Sequence, residues 1–168
     1  IFSFADIPNS KEATIINFVS PAEVYMESVG VYESSEKRKR KRKKDVKKSG
    51  VEKAVFDAKK AAVYYIIFNG TDPLVSRADE ILRFNKIASS FFTKENIDNM
   101  VVYTKSQPKT ITSLKNGEAI KVYIELKVNY AYIRQYLEEK LIIFSNQELN
   151  EELGYPQIMV IPARSSKK

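Results

Sequence analysis

The sequence predicts an α+β fold, a mainly antiparallel sheet of roughly three to five strands packed on two or more helices in a single domain. Three observations lead there. Residues 119–129 alternate Ile120, Val122, Ile124, Leu126 and Val128 with Lys121, Tyr123, Glu125 and Lys127, the period of a half-buried strand. Residues 51–68 set Val51, Val55, Ala58, Ala62, Tyr65 and Ile66 at helical spacing, with Lys53, Lys59 and Lys60 pointing elsewhere. Asn116-Gly117, between the strand-like 110–115 and 119–129, is the dipeptide of a tight hairpin and makes those two segments antiparallel neighbours.

In chain order, residues 1–20 read as an N-terminal arm, an extra strand or the remnant of an upstream segment, with Pro8 and Pro21 bracketing an apolar stretch. The chain opens on Ile1, as a processed or excised chain would. Residues 22–32 hold Val24, Met26 and Ser28 in one phase and Tyr25, Glu27 and Val29 in the other, a first strand. The helix over 51–68 carries Ala54, Ala58, Ala61 and Ala62 for close approach to a sheet, and Asn69-Gly70 stops it. Ser76 with Asp79 announces a second helix, with Ile81, Phe84, Ala88 and Phe91 on one stripe and its end near Thr93.

Residues 100–105 and 110–115 are strand-like, and 130–140 turns helical with Ile133 and Leu137 four apart. A short strand is expected at 141–144. A last helix follows from Ser145 with Glu148, ends at Gly154 before Pro156, and leads to a final strand at 157–161. The five glycines are all read as lying at turns or boundaries. The domain thus spans 21–163, interrupted by a disordered basic loop at 33–49, and 164–168 form a basic tail.

Composition limits the function. A length of 168 residues with 43% hydrophobic content suits one core. No apolar run approaches the roughly 20 residues of a membrane-spanning helix. The net charge of +7 is local, because ten of the 28 basic residues fall in 37–48 beside Asp45, leaving 18 basic against 20 acidic residues elsewhere. Lys37, Arg38, Lys39, Arg40, Lys41, Arg42, Lys43, Lys44, Lys47 and Lys48 are therefore the candidate contacts for an anionic partner. Anionic lipid head groups or an acidic protein suit such a segment, and nucleic acid suits it less well because the rest of the body has no basic face.

Catalytic patterns are weak. The chain contains neither His nor Cys, which removes histidine acid/base triads, thiol chemistry, ordinary zinc sites and disulfides. Ser-x-x-Lys spacing occurs at Ser34/Lys37, Ser106/Lys109 and Ser165/Lys168, in turns or tails rather than at a helix start. The acidic pairs Asp79/Glu80, Glu138/Glu139 and Glu151/Glu152 are sequence neighbours on predicted helices, so their side chains diverge by roughly 100°. Asn69-Gly70-Thr71 is formally a glycosylation triplet, although Asn-Gly already has a role as a helix stop. No phosphate-binding glycine loop occurs, and no catalytic, cofactor-binding or metal-ligating residue is assigned.

Three stretches, Ala54-Val55-Phe56-Asp57-Ala58-Lys59-Lys60-Ala61-Ala62, Phe68-Asn69-Gly70-Thr71-Asp72-Pro73-Leu74 and Leu153-Gly154-Tyr155-Pro156-Gln157-Ile158-Met159-Val160-Ile161-Pro162, carry a resemblance. With Phe91-Phe92 between them, the chain resembles an uncharacterised family of secreted bacterial envelope proteins over about 20–163. More distantly it is similar to FlgT-type flagellar assembly domains and small outer-membrane lipoprotein domains. The resemblance implies a non-catalytic periplasmic or outer-membrane-associated module that associates with envelope proteins or with itself. The basic run lies outside the pattern, and the alternative expectation is an anionic-surface or nucleic-acid binder acting through 37–48.

Overall fold

In the computed structural model, which describes residues 7–34, 43–114 and 118–144, with 43–47 as helical backbone, the chain runs through strands β1 (Ala13–Phe18) and β2 (Glu23–Glu33) into helix α1 (Lys43–Phe68). Helices α2 (Ala78–Phe91) and α3 (Lys94–Met100) precede strands β3 (Val101–Thr104), β4 (Thr110–Leu114) and β5 (Ala119–Asn129), and helix α4 (Tyr130–Glu139) follows. The strands form one five-stranded sheet in the order β1-β2-β5-β3, with β4 also paired to β5. Every pairing is antiparallel. The α+β expectation holds.

Two long strands form the spine. β2 and β5 pair along their whole lengths, from Glu23 opposite Asn129 to Glu33 opposite Ala119. Val24, Met26 and Ser28 of β2 and Ile120, Val122, Ile124, Leu126 and Val128 of β5 are buried, as their alternation requires. On the buried side they meet α1, and beyond it Phe84 and Phe91 of α2, Ile97 and Met100 of α3 and Ile133 and Leu137 of α4 complete the core. Phe84 packs edge-on against Phe68 and Phe91, each pair of ring centroids 5.0 Å apart. β4 and β5 pair antiparallel with Leu114 opposite Ala119, and Asn116-Gly117 between them lies outside the described residues.

Several boundaries move, each for a local reason. The apolar stretch of the arm is strand β1, because Ile15 and Ala13 pack against the core beside β2. Helix α1 begins at Lys43, so the last part of the basic run expected as loop is helix. Arg77, not Ser76, caps α2: the Glu80 carboxylate accepts from the Arg77 N–H at 3.0 Å and the Ser76 N–H at 3.4 Å. The stripe of α2 also loses Ile81, which is exposed.

Helix α3 was not expected. Thr93 opens it by accepting the Asn96 N–H, and Ile97 and Met100 bury one face in the span where polar Lys94-Glu95-Asn96 masks the period. Residues 141–144 are a turn rather than a strand. Leu141 leaves α4 in the left-handed region at φ 57°, and the N–H groups of Ile142 and Ile143 return to the Leu137 carbonyl. The Arg83 guanidinium closes that turn by donating twice to the Ile142 carbonyl, at 3.2 and 3.0 Å. The expected helix after Ser145, the strand at 157–161 and the tail lie outside the described residues.

Two glycines read as boundary residues lie inside elements. Gly30 sits in the middle of β2 and Gly50 within α1, whereas Gly70 does occupy a turn, at φ 84°.

Candidate functional site

Of the ten basic candidates, Lys37, Arg38, Lys39, Arg40, Lys41 and Arg42 fall outside the described residues. Lys43, Lys44 and Lys47 lie on the first turns of α1, and Lys48 follows as an exposed residue of the same helix. The structure thus gathers four of the ten onto one helix start. Among the other singled-out groups, Lys109 of the Ser106/Lys109 pair is joined to Glu27 at 3.0 Å. Asp79 pairs with Arg83 at 3.0 Å and Glu138 with Arg134 at 3.2 Å, so these acidic neighbours serve separate surface contacts.

The seam between β2 and α1 positions everything on the β1 side. α1 crosses β2 where neither carries a large side chain: a Cβ on Gly30 would lie 1.8 Å from the Ala54 carbonyl oxygen and 2.5 Å from the Ala58 nitrogen. Ser28, fully buried, donates its hydroxyl to the Ala58 carbonyl at 2.7 Å, which meets its polar requirement inside the core. One turn of α1 then presents Asp57, 3% exposed. Its carboxylate accepts three backbone N–H groups, from Asn9 at 2.7 Å, Ser10 at 3.0 Å and Val31 at 2.9 Å.

That clamp delivers the chain into β1. Ser10 accepts the Glu12 N–H at 3.2 Å, the Glu12 carbonyl accepts from Val29 at 3.0 Å, and Ala13 then lies opposite Ser28. The register slips between Ile15 and Asn17, leaving Ile16 as the extra residue of a bulge. At the far end the Ser20 hydroxyl accepts the N–H groups of Ala22 and Glu23, which fixes the return into β2. Among the described residues β1 is an edge strand. Ile16 and Phe18 along it, and Val19 in the turn just after it, are 49%, 62% and 49% exposed.

The sheet face away from α1 is polar and internally paired. Glu27 lies directly opposite Glu125, an unfavourable neighbour pair. The connection between β3 and β4 resolves it: Lys105 reaches Glu125 at 2.8 Å and Lys109 reaches Glu27 at 3.0 Å. Tyr25 also donates its hydroxyl to Glu125 at 2.8 Å. The hydrogen bond from Lys105, with that from Tyr25, holds the Glu125 carboxyl below its ordinary range, and the Lys105 ammonium is held above its own.

A carboxyl held low when folded contributes stability above the ordinary carboxylate range and loses it as pH falls through the folded value. Glu125→Gln is therefore expected to lower the melting temperature near neutral pH, with the gap to the wild type closing below about pH 4. Thermal melts across pH 3 to about 7 check this. A gap that stays constant with pH would assign the loss to packing instead.

Sequence reasoning missed Gly30, Asp57 and the exposed edge. The close approach of Gly30 follows from the alanines at Ala54 and Ala58, which were legible, but its partner strand was not. Asp57 sits in a string read only as helix packing. Comparison with known proteins finds no matching family model, no matching curated protein and no matching solved structure.

Proposed function

We propose that this chain is a non-catalytic interaction module of the bacterial envelope that associates with a second copy of itself along β1. The observation that carries the reading is the apolar edge itself. An edge strand offers unpaired backbone N–H and C=O groups, and proteins ordinarily protect such edges with charge or proline. Residues 13–19, Ala-Thr-Ile-Ile-Asn-Phe-Val, hold neither, and the bulge at Ile16 is the one interruption of this edge.

A second copy fits the edge on charge and symmetry. Two β1 strands related by a two-fold axis meet antiparallel, the same pairing used throughout the sheet, and bring no like charges together. Ile16, Phe18 and Val19 of each copy then cover one another. The envelope setting is supported by the motif strings around Ala54–Ala62 and 156–162. The non-catalytic reading is supported by a chain without His or Cys, in which the displaced carboxyls Asp79, Asp98 and Glu125 are each held low by basic or phenolic surface partners.

Edge substitutions test the reading. Ile16→Lys with Phe18→Lys is expected to abolish self-association while changing the stability of the single chain by no more than about 0.5 kcal/mol, since both side chains are exposed. Analytical ultracentrifugation with parallel melts measures both. Association unaffected by the pair of lysines would sink the proposal. So would a lone wild-type chain in which the outward-facing β1 amides, those not donated to β2, resist hydrogen exchange, because that assigns the edge to another segment of the same chain, with 157–161 the first to examine.

A further inference from the structure

Lys60 is the outlier of the molecule. The 51–68 pattern places it with the solvent-facing lysines, yet it is 8% exposed. Burial of a lysine stem is ordinary, but the ammonium of a stem so enclosed normally finds a carboxylate or carbonyl. Among the described residues none meets it, and the ammonium instead lies over the Phe56 ring, 5.4 Å from its centroid. Its nearest acidic neighbour in sequence, Asp57, is committed to the three N–H groups of Asn9, Ser10 and Val31. No buried side-chain nitrogen or oxygen among the described residues lacks a partner, so the Lys60 ammonium opens onto solvent.

It opens onto a groove. Between the Asn9 segment, the end of β2 and α1 lies a concavity of about 350 Å³, lined by Lys60, Phe56, Lys53, Tyr32 and Asn9 among others. Lys53 stands seven residues before Lys60, so the two cations mark the same side of α1 about 10 Å apart along its axis. The Lys53 ammonium donates to the Tyr32 hydroxyl at 3.2 Å and lies 4.7 Å from that ring centroid, again without a carboxylate. Two carboxylates also line the groove, the exposed Glu52 and Asp57, whose charge the three backbone N–H groups hold in place without cancelling it. A groove with the ammonium of an enclosed lysine at one end, reaching solvent without a carboxylate contact, a second cation at the other and aromatic faces beside both has the elements of an anion site with an apolar floor.

We propose that this groove binds a small organic oxyanion, a carboxylate or phosphate monoester on a flat apolar body. Lys60 pairs with the oxyanion, Phe56 and Tyr32 receive the body, and Lys53 adds charge at the far end. The Asp57 clamp builds one wall by holding Asn9 against β2, where the Asn9 amide also donates to the Val31 carbonyl at 3.3 Å. The site stands independently of any self-association along β1.

Titration of the full chain with phenyl phosphate and with benzoate, followed by backbone amide shifts, tests the proposal. Saturable shifts are expected at Asn9, Val31, Tyr32, Phe56 and Lys60, with inorganic phosphate binding more weakly than phenyl phosphate because it lacks the ring. Lys60→Met, which keeps the buried stem, should weaken binding at least about tenfold, the loss of one charge-assisted contact. Lys53→Met provides a second, exposed position for the same test should Lys60→Met fail to fold.

Asp6 lies three residues before Asn9 in the chain, so the titration is repeated on Asp6→Asn. Binding that emerges only in that variant supports the site and identifies the chain's own carboxylate as a competitor. No saturable binding in either protein, shifts confined to 37–48, or full affinity in both lysine variants would overturn the proposal.

Discussion

Gly30→Ala is expected to destabilise the fold by about 3 kcal/mol or more, because the added methyl has nowhere to go. Its Cβ would stand 1.8 Å from the Ala54 carbonyl oxygen, 2.5 Å from the Ala58 nitrogen and 2.9 Å from the Ala54 carbonyl carbon. All three are helix backbone, so no side-chain rotation relieves the contact. α1 would have to lift from β2, and lifting it strains the bond from Ser28 to the Ala58 carbonyl and opens space beside Val24 and Met26. Denaturant unfolding measures the loss. A Gly30→Ala protein within about 1 kcal/mol of the wild type would show that α1 is not seated on β2 as described.

Asp57→Ala is expected to cost about 3–5 kcal/mol, through a different mechanism. The carboxylate gathers the N–H groups of Asn9, Ser10 and Val31, and its removal leaves three donors short of partners in a partly closed site. The damage should be uneven. Asn9 and Ser10 lead into β1, so hydrogen-exchange protection should fall first across residues 9–18, ahead of β5 in the sheet interior. Asp57→Asn retains one acceptor oxygen and should recover part of the loss. Uniform loss of protection across the sheet would indicate that Asp57 supports the core generally rather than tethering the edge strand.

These two residues mark the limit of what the sequence discloses. The alternation of Ile120 through Val128 and the Asn116-Gly117 hairpin identify β5 and β4 because period and turn chemistry are local properties. The alanines of α1 announce a close approach, yet the matching gap at Gly30 belongs to a segment some two dozen residues earlier, and only tertiary pairing joins them. Asp57 looks like any helix carboxylate until the Asn9 backbone lies beside it. The same limit hid α3, whose seven residues hold too little of a period to read, and turned 141–144 from an apparent strand into a turn closed by Arg83.

The candidate surfaces divide in the same way. The basic run is visible in any charge count, and what structure adds is that Lys43, Lys44, Lys47 and Lys48 ride on the start of α1. Exposure of Ile16, Phe18 and Val19 could not be read, since an apolar stretch between prolines fits an interior strand equally well. Burial of Lys60 runs against its residue type. Charge predicts exposure, whereas Lys60 lies in the groove that it lines together with Asn9, Asp57 and the end of β2.

Self-association along β1 is the central claim, and the mass of the native particle tests it most directly. Weighed as the 168-residue chain by ultracentrifugation or native mass spectrometry, the protein is predicted to run at twice the 19.3 kDa mass of that chain. The lysine pair at Ile16 and Phe18 should return it to the single chain. A wild-type particle of 19.3 kDa at concentrations where edge pairing would be populated would contradict the account.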